Sequence, residues 1–196
     1  PLGVAEHKGV LRIAQTITHW DTQEEDEVWA TGSHQEQWVK TLGVEEDQVV
    51  ELGRLELPAP EDHSIQAARF YGDRAYLITY AQQDPLFVVD LSHPENPALL
   101  GQVAFDGFID YVHLVSPDLL LGAGRADWNN AKFFLFDITT YPPRLVDSVT
   151  IAGVTGGPDF WSPQRIVVAP GNNRAAVSLE KITESTTTIN SANAVS

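Results

Sequence analysis

The segment Pro85–Val103, PLFVVDLSHPENPALLGQV, decides the fold. It begins with Phe87–Leu91, a short apolar run rich in β-branched residues, which is typical of a strand buried on both faces. Two prolines then bracket a polar stretch, and the chain must turn there because proline has no N–H to donate to a neighbouring strand. We predict that Leu99–Phe105 returns as the second strand of a β-hairpin.

This hairpin pattern returns in degraded form as Phe134–Val149, FLFDITTYPPRLVDSV. Asp137 aligns with Asp90 at an offset of 47 residues, and an earlier return strand places Gly53 against Gly101 at an offset of 48. Similar strand–turn–strand segments also recur, at Ala68–Tyr80, Val112–Gly124 and Arg165–Leu179. One unit is therefore four short strands in about 46 residues, which matches the blade of a β-propeller.

The predicted all-β fold is a partial β-propeller over residues 1–182, followed by a polar tail at 183–196. Its units are 9–56, 64–105, 110–151 and 164–179, with strands near 65–71, 74–80, 86–91, 99–105, 110–115, 119–124, 132–138 and 145–151. The alternative is an all-β sandwich whose segments resemble one another by chance, and three aligned strand–turn–strand segments make chance the weaker interpretation.

The predicted strands number three in the first unit, four in each of the next two and two in the last, since Pro1–His7 is expected to fray and Asp21–Glu27 to form an acidic loop. Closed propellers typically have 4–8 blades. We therefore expect an incomplete propeller, whose missing blades come from the same longer chain or from a second chain.

Asp84–Val103, the preceding ARFYGDRAYLITY segment and the following GFIDYVH segment together resemble a family of secreted bacterial and archaeal β-propeller domains distantly similar to WD40 propellers. The D-L-S-x-P-x-N-P motif at Asp90–Pro97 also looks like the LVIVD-type propeller repeat of surface proteins. The resemblance covers about residues 7–180, except for Asp21–Gln37, which does not align. It implies a secreted or cell-surface location and supplies no catalytic residue.

Composition excludes several classes of protein. With 27 acidic and 12 basic residues the net charge is −15, which disfavours nucleic acid as a partner because phosphate binding relies on lysine and arginine. No apolar run is long enough for a transmembrane segment. The chain has no cysteine, so disulfides and thiolate metal sites are absent, and no methionine, which suggests a processed product.

Candidate sites are few. Asp110 and His113 lie on a predicted innermost strand and could face the central channel as ligands or as a general base. The acidic cluster could bind Ca²⁺ but lacks the spacing of a preformed calcium loop; its members are Asp21, Glu24, Glu25, Asp26 and Glu27. His63 and His93 show no metal-ligand spacing, so the sequence predicts no metal or other cofactor.

Tryptophans and recurring aspartates have structural and functional interpretations. Trp128 and Trp161 are candidate anchors for a partner at the loop face, together with Trp20, Trp29 and Trp38, while the alternative is that they fill gaps between blades. Asp90 and Asp137 are predicted to cap the turns at Ser92 and Thr139 through local backbone N–H groups. Gly122 and Gly124 are predicted to permit close strand approach rather than to bind a nucleotide.

Three functions fit these observations. The first is an extracytoplasmic binding or scaffold module that offers a protein, a glycan or a small ligand its loop face or channel. The second is a metal-dependent hydrolase with a cation in the channel. The third is a module that regulates or positions a catalytic domain elsewhere in a longer protein. The sequence carries no motif that assigns an activity, because propellers host many unrelated ones.

Overall fold

The computed structural model describes residues 3–25, 28–80, 85–154, 166–169 and 174–177. Within these ranges the chain forms fourteen β-strands and no helix, so no helix there could span a membrane. The strands are β1 Val4–His7, β2 Val10–Glu25, β3 Val28–Glu45, β4 Gln48–Glu56, β5 Ser64–Tyr71, β6 Arg74–Tyr80, β7 Pro85–Asp90, β8 Ala98–Ala104, β9 Phe108–Ser116, β10 Leu119–Asp127, β11 Asn130–Asp137, β12 Arg144–Ala152, β13 Ile166–Ala169 and β14 Arg174–Val177.

Twelve of these strands form three antiparallel sheets of four strands each, in which neighbouring strands are consecutive in the chain. Sheet 1 contains β1–β4, sheet 2 contains β5–β8 and sheet 3 contains β9–β12, while β13 pairs with β14. The all-β prediction is confirmed. Each of the eight strands predicted between residues 65 and 151 lies within three residues of its observed bounds.

Sheet 1 differs from its prediction in two places. Residues 4–7 do not fray but form β1, because a turn with positive φ at Lys8 and Gly9 returns the chain into β2, with which β1 pairs. The segment 21–25 is not part of a loop, because its backbone pairs with residues 28–32 and extends the β2–β3 hairpin into a long arm. Sheet 1 therefore has four strands, where three were predicted.

Sheet 2 is buried on both faces. Phe87, Val88 and Val89 on β7 are fully buried, as the apolar run predicted. Side chains alternate along the strand, so Phe87 and Val89 join the cluster shared with sheet 1, whereas Val88 joins the cluster shared with sheet 3. Sheet 2 is consequently the centre of the core.

The same contact recurs between successive sheets. On β4, a side chain at Gly53 would lie 2.5 Å from the Pro94 carbonyl oxygen in the β7–β8 loop. On β8, a side chain at Gly101 would lie 2.7 Å from Cα of Pro142 in the β11–β12 loop. Each glycine pairs with a residue of the neighbouring strand directly beside a β-bulge. Asp147 occupies the corresponding position in β12. The aligned glycines therefore let the proline-containing loop of the following sheet approach closely.

Candidate functional site

A β-bulge brings Asp110 to the junction between sheets 2 and 3. Ile109 pairs with Gly124 and Tyr111 pairs with Ala123, so Asp110 is the extra residue on β9. A side chain at position 124 would lie 1.8 Å from the Phe108 carbonyl oxygen, so glycine is required there. This confirms the prediction of close strand approach, and a bulge of this kind redirects the side chain that it carries.

Asp110 is a buried carboxyl with an arginine beside it. Its side chain is 6% exposed, and its Oδ2 lies 3.5 Å from Nε of Arg125 on β10. Burial raises the pKa of Asp110 to about 6 by removing water from the charged form, and the Arg125 charge offsets this only in part. A carboxyl whose pKa is perturbed in this way is a recognised sign of a functional site.

Arg125 is also part of a small aromatic cleft, which we call the loop-face cleft and which is lined by Tyr80, Phe108, Arg125, Asp127 and Trp128. The Tyr80 and Phe108 rings stack with centroids 5.7 Å apart. The Arg125 guanidinium carbon lies 5.7 Å from the Phe108 ring centroid and 5.1 Å from that of Trp128. Cation–π contacts of this length hold a guanidinium between two aromatic rings.

Trp128 is presented by a turn that its neighbours stabilise. Asp127 Oδ1 accepts a hydrogen bond from the Asn129 backbone N–H at 2.8 Å, and both Asp127 carboxylate oxygens accept from the Asn130 side chain. The hydrogen bond from the Asn129 N–H lowers the pKa of Asp127, with further help from Asn130. The Trp128 side chain is 80% exposed, so the turn projects a large apolar surface into solvent.

His113 belongs to a separate group on β5 and β9. Its Nδ1 lies 2.9 Å from the Tyr111 hydroxyl, and the Arg69 guanidinium carbon lies 4.8 Å from the Tyr111 ring centroid. Burial lowers the pKa of His113, and the nearby Arg69 charge lowers it further. The structure therefore pairs Asp110 with Arg125 and His113 with Tyr111, and does not bring Asp110 and His113 together as joint ligands.

The other predicted residues have varied positions. Asp90 Oδ1 accepts from the Ser92 N–H and Asp137 Oδ1 from the Thr139 N–H, each at 2.9 Å, which confirms the predicted caps. Trp20 is 70% exposed. Trp161, Asp26 and Glu27 lie outside the described residues, as do the side chains of Asp21, Glu24, Glu25 and Trp29.

The two remaining predicted histidines differ in exposure. His63 is buried, and its carbonyl oxygen accepts a hydrogen bond from the Gln37 side chain. His93 is exposed on the β7–β8 loop.

The sequence prediction missed the residues that complete the loop-face cleft, Tyr80, Phe108 and Arg125. They lie at the ends of β6, β9 and β10, and only the pairing of Arg125 with Phe108 across sheet 3 brings two of them together. The one local signal was the glycine pair at 122 and 124, which marks the bulge beside Arg125.

Comparisons with known proteins agree with this architecture. Residues 3–195 match the family model described as a beta propeller domain. An uncharacterised protein of Methanocaldococcus jannaschii is 31% identical over 159 residues, and one of Archaeoglobus fulgidus is 34% identical over 134 residues. The matched regions cover 81% and 68% of this chain but 22% and 18% of those proteins, so the chain spans about a fifth of the length of the curated relatives that it matches. No solved structure matches it. The chain belongs to the beta propeller domain family.

Proposed function

We propose that this chain is an extracytoplasmic β-propeller binding or scaffold module whose ligand lies on the exposed indole of Trp128, beside the loop-face cleft, which itself has a volume of only about 20 Å³. The observation that carries the proposal is Trp128, an 80% exposed indole fixed against the Arg125 guanidinium and next to the Tyr80–Phe108 stack. Large aromatic side chains and arginine are the residues most often responsible for binding energy at interfaces. A secreted or cell-surface location is supported by the family resemblance.

The chemistry of the cleft favours a glycan among the possible ligands. The flat indole of Trp128 offers an apolar surface on which a sugar ring can lie, because aromatic side chains combine a large apolar area with defined geometry. Arg125 supplies N–H donors in a fixed fork for hydroxyl or carboxylate oxygens. The carboxylate of Asp127, in contrast, accepts hydrogen bonds within its own turn. It therefore shapes the cleft and is not the main polar contact for a ligand.

Isothermal titration calorimetry against a panel of neutral and acidic oligosaccharides tests this proposal. We expect at least one glycan to bind, and Trp128→Ala to weaken that binding by more than about 2 kcal/mol, as for a binding hot spot. Trp20→Ala is the matched control, because Trp20 is also exposed but lies on the β2–β3 arm, and it should bind like the parent protein. Absence of binding across the panel, or unchanged binding by Trp128→Ala, contradicts the proposal.

The metal-dependent hydrolase is the second candidate, and the pKa of Asp110 is the observation in its favour. A carboxyl with a pKa of about 6 is suited to general acid–base work near neutral pH. The Arg125 guanidinium lies beside this carboxyl, so a cation bound by Asp110 would be repelled by its positive charge. Hydrolysis assays with added Ca²⁺ or Zn²⁺, on the parent protein and on Asp110→Asn, would support this candidate by showing metal-dependent turnover that the variant loses.

We also propose that a further blade of the same longer protein packs on the outer face of sheet 3. Val146 and Val149 on β12 are 50% and 55% exposed, and a groove of about 160 Å³ beside Val149 is lined partly by Leu121 and Leu135. The two preceding sheets each receive a loop of the next sheet at the corresponding place. The intact mass of the protein from its native source, expected well above 21.5 kDa, tests this, and a natural mass of 21.5 kDa contradicts it.

A further inference from the structure

The β2–β3 arm carries two histidines and a glutamate on one face. His19 pairs directly with His34 across the two strands, and Glu36 lies two residues beyond His34 on the same side of β3. The two imidazole rings stack with centroids 4.7 Å apart and planes 13° from parallel. One ligand atom from each of the three side chains lies within 4.8 Å of the other two. We propose that His19, His34 and Glu36 bind a divalent transition-metal ion such as Zn²⁺.

The separation of these atoms is close to that of ligands around one ion. Bonds from zinc to nitrogen or oxygen are about 2.0–2.2 Å, so two ligands of a tetrahedral ion lie roughly 3.3–3.6 Å apart. His19 Nε2 lies 3.5 Å from Oε2 of Glu36. The His34 ring nitrogen needs a movement of about 1 Å to join them. The two stacked rings must also tilt, because an imidazole nitrogen binds a metal in its ring plane, and rotation about the torsions of the two half-buried side chains produces both changes.

The imidazole of His19 faces the carboxylate of Glu36 at a distance that an ion would bridge. Its Nε2 is shielded from solvent, and the 3.5 Å that separates it from Oε2 of Glu36 is longer than a good hydrogen bond. A zinc ion between the two atoms would be bonded to both of them. The Glu36 carboxylate also accepts a hydrogen bond from the Trp38 indole N–H at 2.9 Å, the kind of support that orients ligating carboxylates in metal sites.

The strand that carries His34 and Glu36 is held in place on its outer edge. The Gln35 N–H donates to the Glu61 carbonyl oxygen at 2.6 Å, and the Leu57 N–H donates to the Gln37 carbonyl oxygen at 2.8 Å. The Gln37 side chain is 1% exposed and donates to the His63 carbonyl oxygen. The backbone positions of His34 and Glu36 are therefore fixed, and binding an ion requires movement of side chains only.

The donor set predicts which ions bind. Imidazole nitrogen suits zinc, copper and nickel, whereas Ca²⁺ takes six to eight oxygen ligands and finds only one carboxylate among these three side chains. Three protein ligands leave a fourth position of a tetrahedral ion open, as in zinc sites that bind an exogenous ligand. The acidic sequence DTQEEDE at 21–27, which follows His19 closely in the chain, adds negative charge that attracts cations.

The test is calorimetric titration of chelator-treated protein with Zn²⁺, on the parent chain and on His19→Gln, His34→Gln and Glu36→Gln. The control is His93→Gln, which removes an exposed histidine on the β7–β8 loop of sheet 2. We expect one Zn²⁺ per chain, an affinity at least roughly tenfold lower in each of the three arm variants, and an unchanged affinity in the control. In a titration with Ca²⁺, the parent protein and the three arm variants should give the same result.

A second readout separates ligand loss from misfolding. Circular dichroism of each variant without metal should match the parent protein, because the three side chains are only half-buried. Cu²⁺ bound at the site should also quench tryptophan fluorescence, because Trp38 contacts Glu36. This quenching should be smaller in Trp38→Phe than in the parent protein. The proposal is overturned if Zn²⁺ binds far below one per chain, if His19→Gln and His34→Gln bind like the parent protein, or if the His93→Gln control loses binding equally.

Discussion

Sheets 2 and 3 share one strand order and one hairpin pattern, yet sheet 2 is packed on both faces whereas the outer strand of sheet 3 is mostly exposed. The interior strand β7 has four consecutive buried residues, from Leu86 to Val89. In its counterpart β11 buried and half-buried residues alternate, and β12 beside it is exposed along most of its length. The burial of a hairpin therefore depends on whether another sheet packs against it as well as on its own sequence.

Sheet 3 also differs at the position where a glycine in sheets 1 and 2 contacts a loop of the following sheet. Gly53 and Gly101 are both in contact with a proline-containing loop of the following sheet, while Asp147 holds this position in sheet 3. The absence of a side chain is a requirement only where a backbone approaches within van der Waals distance. With an aspartate at position 147, the blade that we propose to pack on sheet 3 would make a different contact there.

The largest expected effect comes from truncating a side chain between sheets 1 and 2. Phe87→Ala removes a fully buried ring, and we expect it to lower the free energy of unfolding by about 3–5 kcal/mol. Val149→Ala, on the exposed face of sheet 3, should change it by less than about 0.5 kcal/mol. Urea unfolding followed by tryptophan fluorescence measures both values, and similar values for the two variants would remove the distinction between the sheets.

The next largest effect depends on pH and tests the junction between sheets 2 and 3. The pKa of Asp110 is raised from 3.8 to about 6 in the folded chain, so its contribution to stability is fully present below pH 3.8 and is lost as the pH rises through 6. The expected loss is about 3 kcal/mol, at 1.36 kcal/mol for each unit of pKa.

Asp110→Asn should lose this component of the pH dependence, because asparagine does not titrate. Asp106→Asn, at a fully exposed carboxyl, should keep it. Urea unfolding at pH 4, 5, 6 and 7 makes the comparison. The same pH dependence in Asp110→Asn as in the parent protein would show that burial does not raise the pKa of Asp110.

The smallest of these effects concerns the recurring contact between sheets. Gly101→Val places a side chain against Pro142 and should destabilise the chain by about 1–3 kcal/mol, as overpacking does. Asp147→Val, at the corresponding position in sheet 3, should be nearly neutral in this chain, because β12 is exposed there. Thermal unfolding followed by circular dichroism is sufficient, and a neutral Gly101→Val would show that the β11–β12 loop does not pack tightly on β8.

Sheets 2 and 3 were predicted well because their strands and turns are marked by patterns of residues that lie close together in the chain. Buried strands there are continuous apolar runs, and the loops between them contain prolines that cannot continue a strand. The capping aspartates were also predictable, because Asp90 and Asp137 bond to the N–H two residues ahead of them. Such features depend on neighbours in the chain, so a single sequence reveals them.

The arm of sheet 1 and the cleft were not predictable in this way. Residues 21–25 are polar and acidic, and their strand conformation comes from backbone pairing with β3 rather than from burial of an apolar face. Cross-strand pairing also brings together His19 and His34, which are fifteen residues apart, and Arg125 and Phe108, which are seventeen apart. No local pattern encodes these pairs, because the register of a hairpin depends on where its turn lies.

Native-state hydrogen exchange followed by mass spectrometry would show whether sheet 2 is the doubly packed centre of the core. Amides of β7 and β11 are the matched pair, since both strands are third in their sheets and hydrogen-bonded on both sides. We expect slower exchange in β7 by a factor of more than about 10, because opening sheet 2 disrupts packing on two faces. Equal exchange in the two strands, or faster exchange in β7, would contradict it.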